Sequence, residues 1–215
     1  MPFTVEQFFD VFQRYNEAVW PVQLLLVLLA VAAVLTALNP HHRLARTPGL
    51  ILAVMWLWMG VVYQLVFFRP INPAATLFGA VFIVQAVLLA WMALRKEVLV
   101  FRLERNTDGI AGLLLVIFAL VFYPLLGYLS GHRYPSNPTF GLPCPTTIFT
   151  FGVLLWARPR APRIVLLIPV LWAIVGTTAA LRLGVTEDLG LLPAAIIAIL
   201  RNHRQAKRSA ELRFA

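Results

Sequence analysis

The segment Pro143-Cys144-Pro145 is where the residue types of this chain come closest to chemistry. Cys144 is the single cysteine, and Thr146, Thr147 and Thr150 follow it. Two prolines remove two helix donors, and each disfavours the helical conformation of the residue before it. Gly141 adds backbone freedom, so an unwound or kinked helix end is expected here. At membrane depth, unsatisfied carbonyls survive only when buried in protein or lining a wet cavity. Broken helices of this kind form the binding sites of many transporters. Pro143, Cys144, Pro145, Thr146 and Thr147 are therefore the first candidate solute-binding residues. A thiolate is also a soft-metal ligand, with His132 as its partner. Metal sites usually need three or four ligands, and a lone cysteine is more often a small buried hydrophobe. The metal stays unknown, with Cys144 and His132 its only candidates. His132 and Arg133, beside Tyr134, also have the chemistry to hold an anion.

Long amides are the next polar groups. Gln23, Gln64 and Gln85 fall within apolar stretches, with Tyr63, Thr177 and Thr178 of similar character. Buried amides across helices contribute ~0.6–2 kcal/mol each as packing glue; alternatively they line a polar cavity, which adds Gln64 and Gln23 to the candidate set. Glu17, Arg69, Arg133, Arg182, Glu187 and Asp188 fall near one set of helix ends. There they are expected to pair with one another at the surface, where such pairs contribute little. No Asp, Glu, Lys or Arg lies centrally in an apolar stretch, which argues against a proton-coupled pump. Lys96 and Lys207 lie in loops, so no lysine is placed for a Schiff base. His41 and His42 read as solvated loop histidines.

Catalytic motifs are absent: the chain has no phosphate-cradling glycine loop, HExxH, GxSxG or CxxC. No catalytic residue is assigned, an enzyme is disfavoured, and no cofactor is implied. A thiol-based sensor or enzyme would need Cys144 activated near His132 or Arg133. One cysteine forms no internal disulfide.

The elements that must position these residues are seven apolar stretches: Ala18–Leu38, Gly49–Phe68, Ala74–Leu94, Gly109–Ser130, Thr139–Ala157, Ile164–Leu181 and Thr186–Leu200. The gaps between them carry Lys and Arg alternately. The heavy gaps hold two (Arg43, Arg46), four (Arg95, Lys96, Arg102, Arg105), three (Arg158, Arg160, Arg163) and five in the tail; the light ones hold Arg14, Arg69, Arg133 and Arg182, one each. Cytoplasmic loops hold the excess of Lys and Arg. The pattern predicts an all-α, polytopic transmembrane helix bundle of seven spans, N-terminus outside and C-terminus inside. The seventh is the weakest: its uninterrupted part, Leu189–Leu200, contains Pro193 and is short of the ~20 residues a span needs. Six spans plus a re-entrant segment is the alternative.

Composition agrees, with 60% hydrophobic and 13% charged residues. A soluble chain of this length could not hide so much apolar surface. The net charge of +9 sits in short loops beside the spans, which points to topology and to anionic lipid head groups at the inner face, not to nucleic acid. Residues 201–215 form a basic cytoplasmic tail. Residues 1–17 do not look like a signal peptide. Thr4 reads as an N-cap, and Val5, Phe8, Phe9, Phe12 and Tyr15 recur at helical spacing. That amphipathic helix is expected either in the outer interface or docked on the protein's own loops. Trp20 at the outer end of the first span, and Trp91 and Trp156 at inner ends, fit interfacial belts. The loop 95–108 is expected to be interfacial around Val98–Phe101, and Gly127-xxx-Gly131 fits a close helix crossing. No inverted repeat relates the halves. The chain reads as one integral membrane domain, 1–215.

The opening MPFTVEQFFDVFQRYNEAVWP and the stretch GHRYPSNPTFGLPCPTTIFTFG resemble a family of small bacterial multi-pass membrane proteins known only as a domain of unknown function. The resemblance covers most of the chain. It implies a location in the bacterial inner membrane and nothing about substrate or catalytic residues. Three readings follow: a transporter or binder of a small solute or ion with an outward site at the broken fifth span, a structural or partner-binding membrane protein, and a thiol-based sensor or enzyme.

Overall fold

The structure, a computed structural model, describes residues 2–39, 44–95 and 99–214, with side chains as far as His203. The paired histidines at 41 and 42 and the side chains of most of the basic tail lie outside the described residues. The chain is mostly helical, and local chemistry sets the helix starts. In α1 (Val5–Val19), the Gln7 backbone N–H donates to Thr4 Oγ1 at 3.3 Å and the Thr4 N–H donates to Gln7 Oε1 at 2.9 Å. This reciprocal capping satisfies two orphan donors. A backbone hydrogen bond, and then the Thr4 hydroxyl, hold the Glu6 carboxyl below its usual value. After a bend of 85°, α2 (Val22–Leu38) follows. Then come α3 (Thr47–Phe68), α4 (Ala75–Leu94) and α5 (Thr107–Leu129). At the start of α5, Asn106 Oδ1 accepts from the Asp108 and Gly109 N–H groups, an N-cap that precedes an apolar run. The remaining elements are α6 (Pro143–Leu154), α7 (Arg163–Leu183), a short 3-10 turn (Thr186–Gly190) and α8 (Leu191–Phe214).

Four of the described helices, α3, α4, α5 and α7, are long and apolar enough to cross a bilayer, or five spans if the bent α1–α2 pair counts as one. Leu28, Leu35, Leu77, Leu94, Leu129 and Leu181 point outward and are exposed. Soluble monomers rarely tolerate apolar surface on this scale, so the exterior is compatible with lipid.

The expected fifth span, Thr139–Ala157, contains only a 12-residue helix. Such a helix is about 18 Å long, against a bilayer core of about 30 Å. All of its residues except Cys144 are buried, because α3, α5, α7 and α8 pack around it. Its closest neighbour is α5, where Gly112 faces Gly152. A Cβ on Gly152 would lie 2.7 Å from the Gly112 carbonyl oxygen, and one on Gly112 would lie 2.5 Å from the Gly152 oxygen. Gly60 and Gly79 make the same reciprocal contact between α3 and α4.

The end of the molecule that carries the arginine-rich loops is closed by a strap. Val100–Phe101 (β1) pairs antiparallel with Ala157–Arg158 (β2). The Phe101 N–H donates to the Ala45 oxygen at 2.7 Å, Arg102 N–H to Trp156 oxygen at 2.9 Å and Leu103 N–H to Ala37 oxygen at 2.9 Å. Leu99 and Phe101 are buried, so the described part of the expected interfacial stretch packs into the core; Lys96 and Val98 lie outside the described residues. Trp156 is likewise buried and not a belt residue: its indole donates to the Gly109 oxygen at 3.1 Å beside Gly112. Trp20 and Trp91 are exposed as expected, Trp91 lying under the Arg95 guanidinium. Gly127 does not serve a helix crossing either. A Cβ there would sit 2.9 Å from Glu187 Oε1, while Gly131 lies past the end of α5 with φ +90°; the absent side chain admits a carboxylate.

Gly152→Ala is expected to lower unfolding stability by about 1–3 kcal/mol, because the added methyl meets backbone and cannot be accommodated by a rotamer change. Denaturant unfolding in detergent reads this, and an unchanged midpoint would mean that α5 and α6 do not cross there.

Candidate functional site

Away from the strap, the start of α6 opens onto a cavity of about 190 Å³. Five helices bring aromatic side chains to its walls: Phe8 and Phe12 from α1, Tyr63 and Phe68 from α3, Phe78 from α4, Tyr123 from α5 and Trp172 from α7. Pro143, Cys144 and Pro145 form one side, and Asp188, from the 3-10 turn, supplies the only carboxylate of the lining. The prolines act at the helix start and not as a break within it. Pro143 occupies the first position, where a missing N–H costs nothing. Pro145 removes a second donor, and the Thr146 N–H is taken by the Leu142 oxygen at 3.3 Å. The outer part of the expected span, before Pro143, is non-helical, with Gly141 at φ +100° and a bridge between Phe140 and Leu142. The unwound end is therefore present, while the helix itself is regular.

Two π-helical stretches, Met59–Phe68 and Phe118–Phe122, deliver the cavity's tyrosines. Tyr63 lies in the first, and Tyr123 directly follows the second. Pro124 accounts for the latter: it has no N–H for the Leu120 carbonyl and its ring crowds that oxygen, so the preceding turn widens. Such widened turns recur at functional sites. The Tyr123 hydroxyl donates to Asp188 Oδ1, and Cys144 shares the cavity wall with this carboxylate. Next to it, Glu187 Oε1 lies 2.9 Å from His132 Nδ1, with the His132 ring against Phe9. The indole of Trp172, a buried wall residue, lies beside the Cys144 sulfur.

These contacts revise the expectation for Glu187 and Asp188. Both are buried, at 1% and 4% exposure, and their partners are His132 and Tyr123 instead of the arginines at the same end. The signal for their burial was the glycine at 127, one position of Gly127-xxx-Gly131, which makes room for Glu187. Tyr123 was missed because nothing in its own residue type separates it from an interfacial tyrosine.

The other candidates divide. Pro143, Cys144 and Pro145 reach the cavity, whereas Thr146, Thr147, His132, Arg133, Gln64 and Gln23 do not line it. Thr146 Oγ1 accepts from the Gly141 N–H at 3.2 Å, and the buried Thr147 hydroxyl has no partner. Arg133 stacks on the Tyr128 ring at 3.6 Å, away from an anion-holding role with His132. The side-chain amide of Gln64 is buried without a partner. Gln23 works as packing glue: its Nε2 donates to the Asn16 oxygen at 2.9 Å. Asn16 itself pins α1 in place. Its Nδ2 donates to the oxygens of Pro135 (2.6 Å) and Asn137 (2.8 Å), and its Oδ1 accepts from Thr139. The amphipathic helix is thus docked on the protein's own loops, with its aromatic face on the cavity. Among the described residues, no group of three or more His, Cys, Asp or Glu could hold a metal ion.

The model of a family of unknown function, DUF6064, matches residues 5–211. The chain belongs to this family. No curated protein and no solved structure matches it.

Tyr123→Phe removes a donor to a buried carboxylate and is expected to cost about 1–3 kcal/mol of stability. In the Asp188→Asn background the same change is expected to cost less, a difference read by a double-mutant cycle of unfolding midpoints; additive costs would show that the two groups act independently.

Proposed function

We propose that this chain is a multi-pass protein of the bacterial inner membrane that takes a small organic solute into the cavity at the start of α6. The cavity itself carries this reading: a chamber rich in aromatic side chains with a few polar groups, Asp188, Tyr123, Cys144 and Trp172, is the usual form of a small-molecule site. The arginine-rich loops at the strap end support a cytoplasmic placement of that end, so the cavity faces outward. The strap and Trp156 close the other side, as the outward-accessible state of a transporter requires. In this topology α6 and the turn leading into α8 count among seven membrane passages, the former sheathed by its neighbours instead of meeting lipid. Anionic lipid is the partner proposed for the inner end. A groove of about 380 Å³ there is flanked by Arg160 and Arg163 over Leu166, Leu167 and Val170. The thiol-sensor reading draws no support from the Cys144 surroundings, where a carboxylate stands in place of the cation that activates a thiol.

Two measurements test this. In a Cys144→Ser background, a cysteine at Ser136 is expected to react from outside intact cells with an impermeant maleimide, and one at Arg105 only after lysis; the opposite pattern inverts the topology. A thermal-shift panel of small organic solutes on the detergent-purified protein is expected to find a stabilising ligand. At a hundredfold excess over Kd the gain is about 2.7 kcal/mol. Ala179→Trp, which fills the cavity wall, should abolish it. A shift that survives Ala179→Trp, or a silent panel on folded protein, overturns the cavity as the site.

A further inference from the structure

Resting on the reading of the cavity as a binding site, we propose that its ligand is an organic monocation of the alkylammonium type. The walls set the sign. The lining holds one carboxylate, Asp188, and no lysine, arginine or histidine. Asp188 is 4% exposed, and among the described residues its neighbours are a phenol, a thiol and a second carboxylate, Glu187, which already has His132. A buried carboxylate is held either as the neutral acid or by a counter-charge, and among the described residues of the lining no cation supplies one; a cationic ligand would.

The rest of the chamber points the same way. Phe8, Phe12, Tyr63, Phe68, Phe78 and Trp172 present rings, and ring faces attract ammonium groups, most strongly when water is excluded. The start of α6 would ordinarily attract anions through its free N–H groups. Here Pro143 and Pro145 remove two of them and Leu142 takes the Thr146 N–H. This helix terminus has thereby lost two of its anion-binding donors.

Choline, its neutral isostere 3,3-dimethylbutan-1-ol and the anion 3,3-dimethylbutanoate differ mainly in charge. Titrated calorimetrically into the full chain in nanodiscs, choline should bind at least about tenfold more tightly than the alcohol, the factor expected from one desolvated cation–ring contact, and the anion should not bind. Asp188→Asn should lose about tenfold in choline affinity and leave the alcohol unchanged. If that variant does not fold, Phe78→Leu decides: choline weakens several-fold and the alcohol less than twofold. Equal affinity for choline and the alcohol would overturn the cation and leave the binding cavity standing, with Asp188 present as a neutral acid. Silence toward all three overturns the cation as well, while the cavity is judged separately by the solute panel and Ala179→Trp.

Discussion

A helix of 12 residues buried on every side is the constraint from which the rest of this architecture follows. It is too short to cross a bilayer core alone, and its ends hold backbone groups that lipid could not satisfy. Other chain must therefore enclose it. The longer helices α3, α5 and α7 do so laterally, and the Gly112–Gly152 contact lets α5 approach to backbone distance. At one end, the strap from Leu99 to Leu103 and Trp156 take up the free groups of neighbouring segments. At the other end α1 lies over the bundle, and the space left beneath it is the cavity.

That asymmetry explains why polar chemistry gathers where it does. The closed end satisfies its hydrogen bonds backbone to backbone, which fixes structure and leaves little reactive. The open end is bounded by proline, aromatic and carboxylate side chains contributed by six helices and one turn. Its tyrosines arrive through widened helical turns, which rotate the following residues away from the register an unbroken α-helix would give. Glu187 and Asp188 are drawn inward because Gly127 offers volume to one and Tyr123 a donor to the other. Burial would otherwise be prohibitive for two adjacent carboxylates.

The amphipathic α1 completes the chamber and belongs to it rather than to the lipid interface. Its bend against α2 lays Phe8, Phe12 and Tyr15 over the bundle, and Trp58 donates to the Tyr15 hydroxyl at 2.8 Å. Asn16 then ties the helix to the 135–139 loop by three hydrogen bonds. Two sources of rigidity meet here: aromatic packing is non-directional and tolerates sliding, whereas the Asn16 amide fixes position.

Periodicity and charge, which are local properties, are written in the sequence. Thr4 capped the helix it was expected to cap, each apolar stretch contains a helix though not always over its full length, and Pro143-Cys144-Pro145 marked an unwound entry beside the cavity. Length was legible in part: against seven expected spans, four of the described helices are long and apolar enough to cross a membrane, and the fifth stretch holds a helix of only 12 residues. What the sequence could not reveal is which face of each helix meets which neighbour. A tryptophan at a helix end reads the same whether it is exposed, like Trp91, or packed on a glycine of the next helix, like Trp156. A Glu-Asp pair in a turn reads as solvated until a glycine from another helix makes room for it. Gln64, Thr146 and Thr147 share a residue type with cavity-lining groups yet point elsewhere, because rotation about a helix axis is set by packing. Composition, local helix formation and charge placement belonged to the sequence; the cavity, its lone carboxylate and its aromatic walls exist only through contacts between segments far apart in the chain, which tertiary structure alone decides.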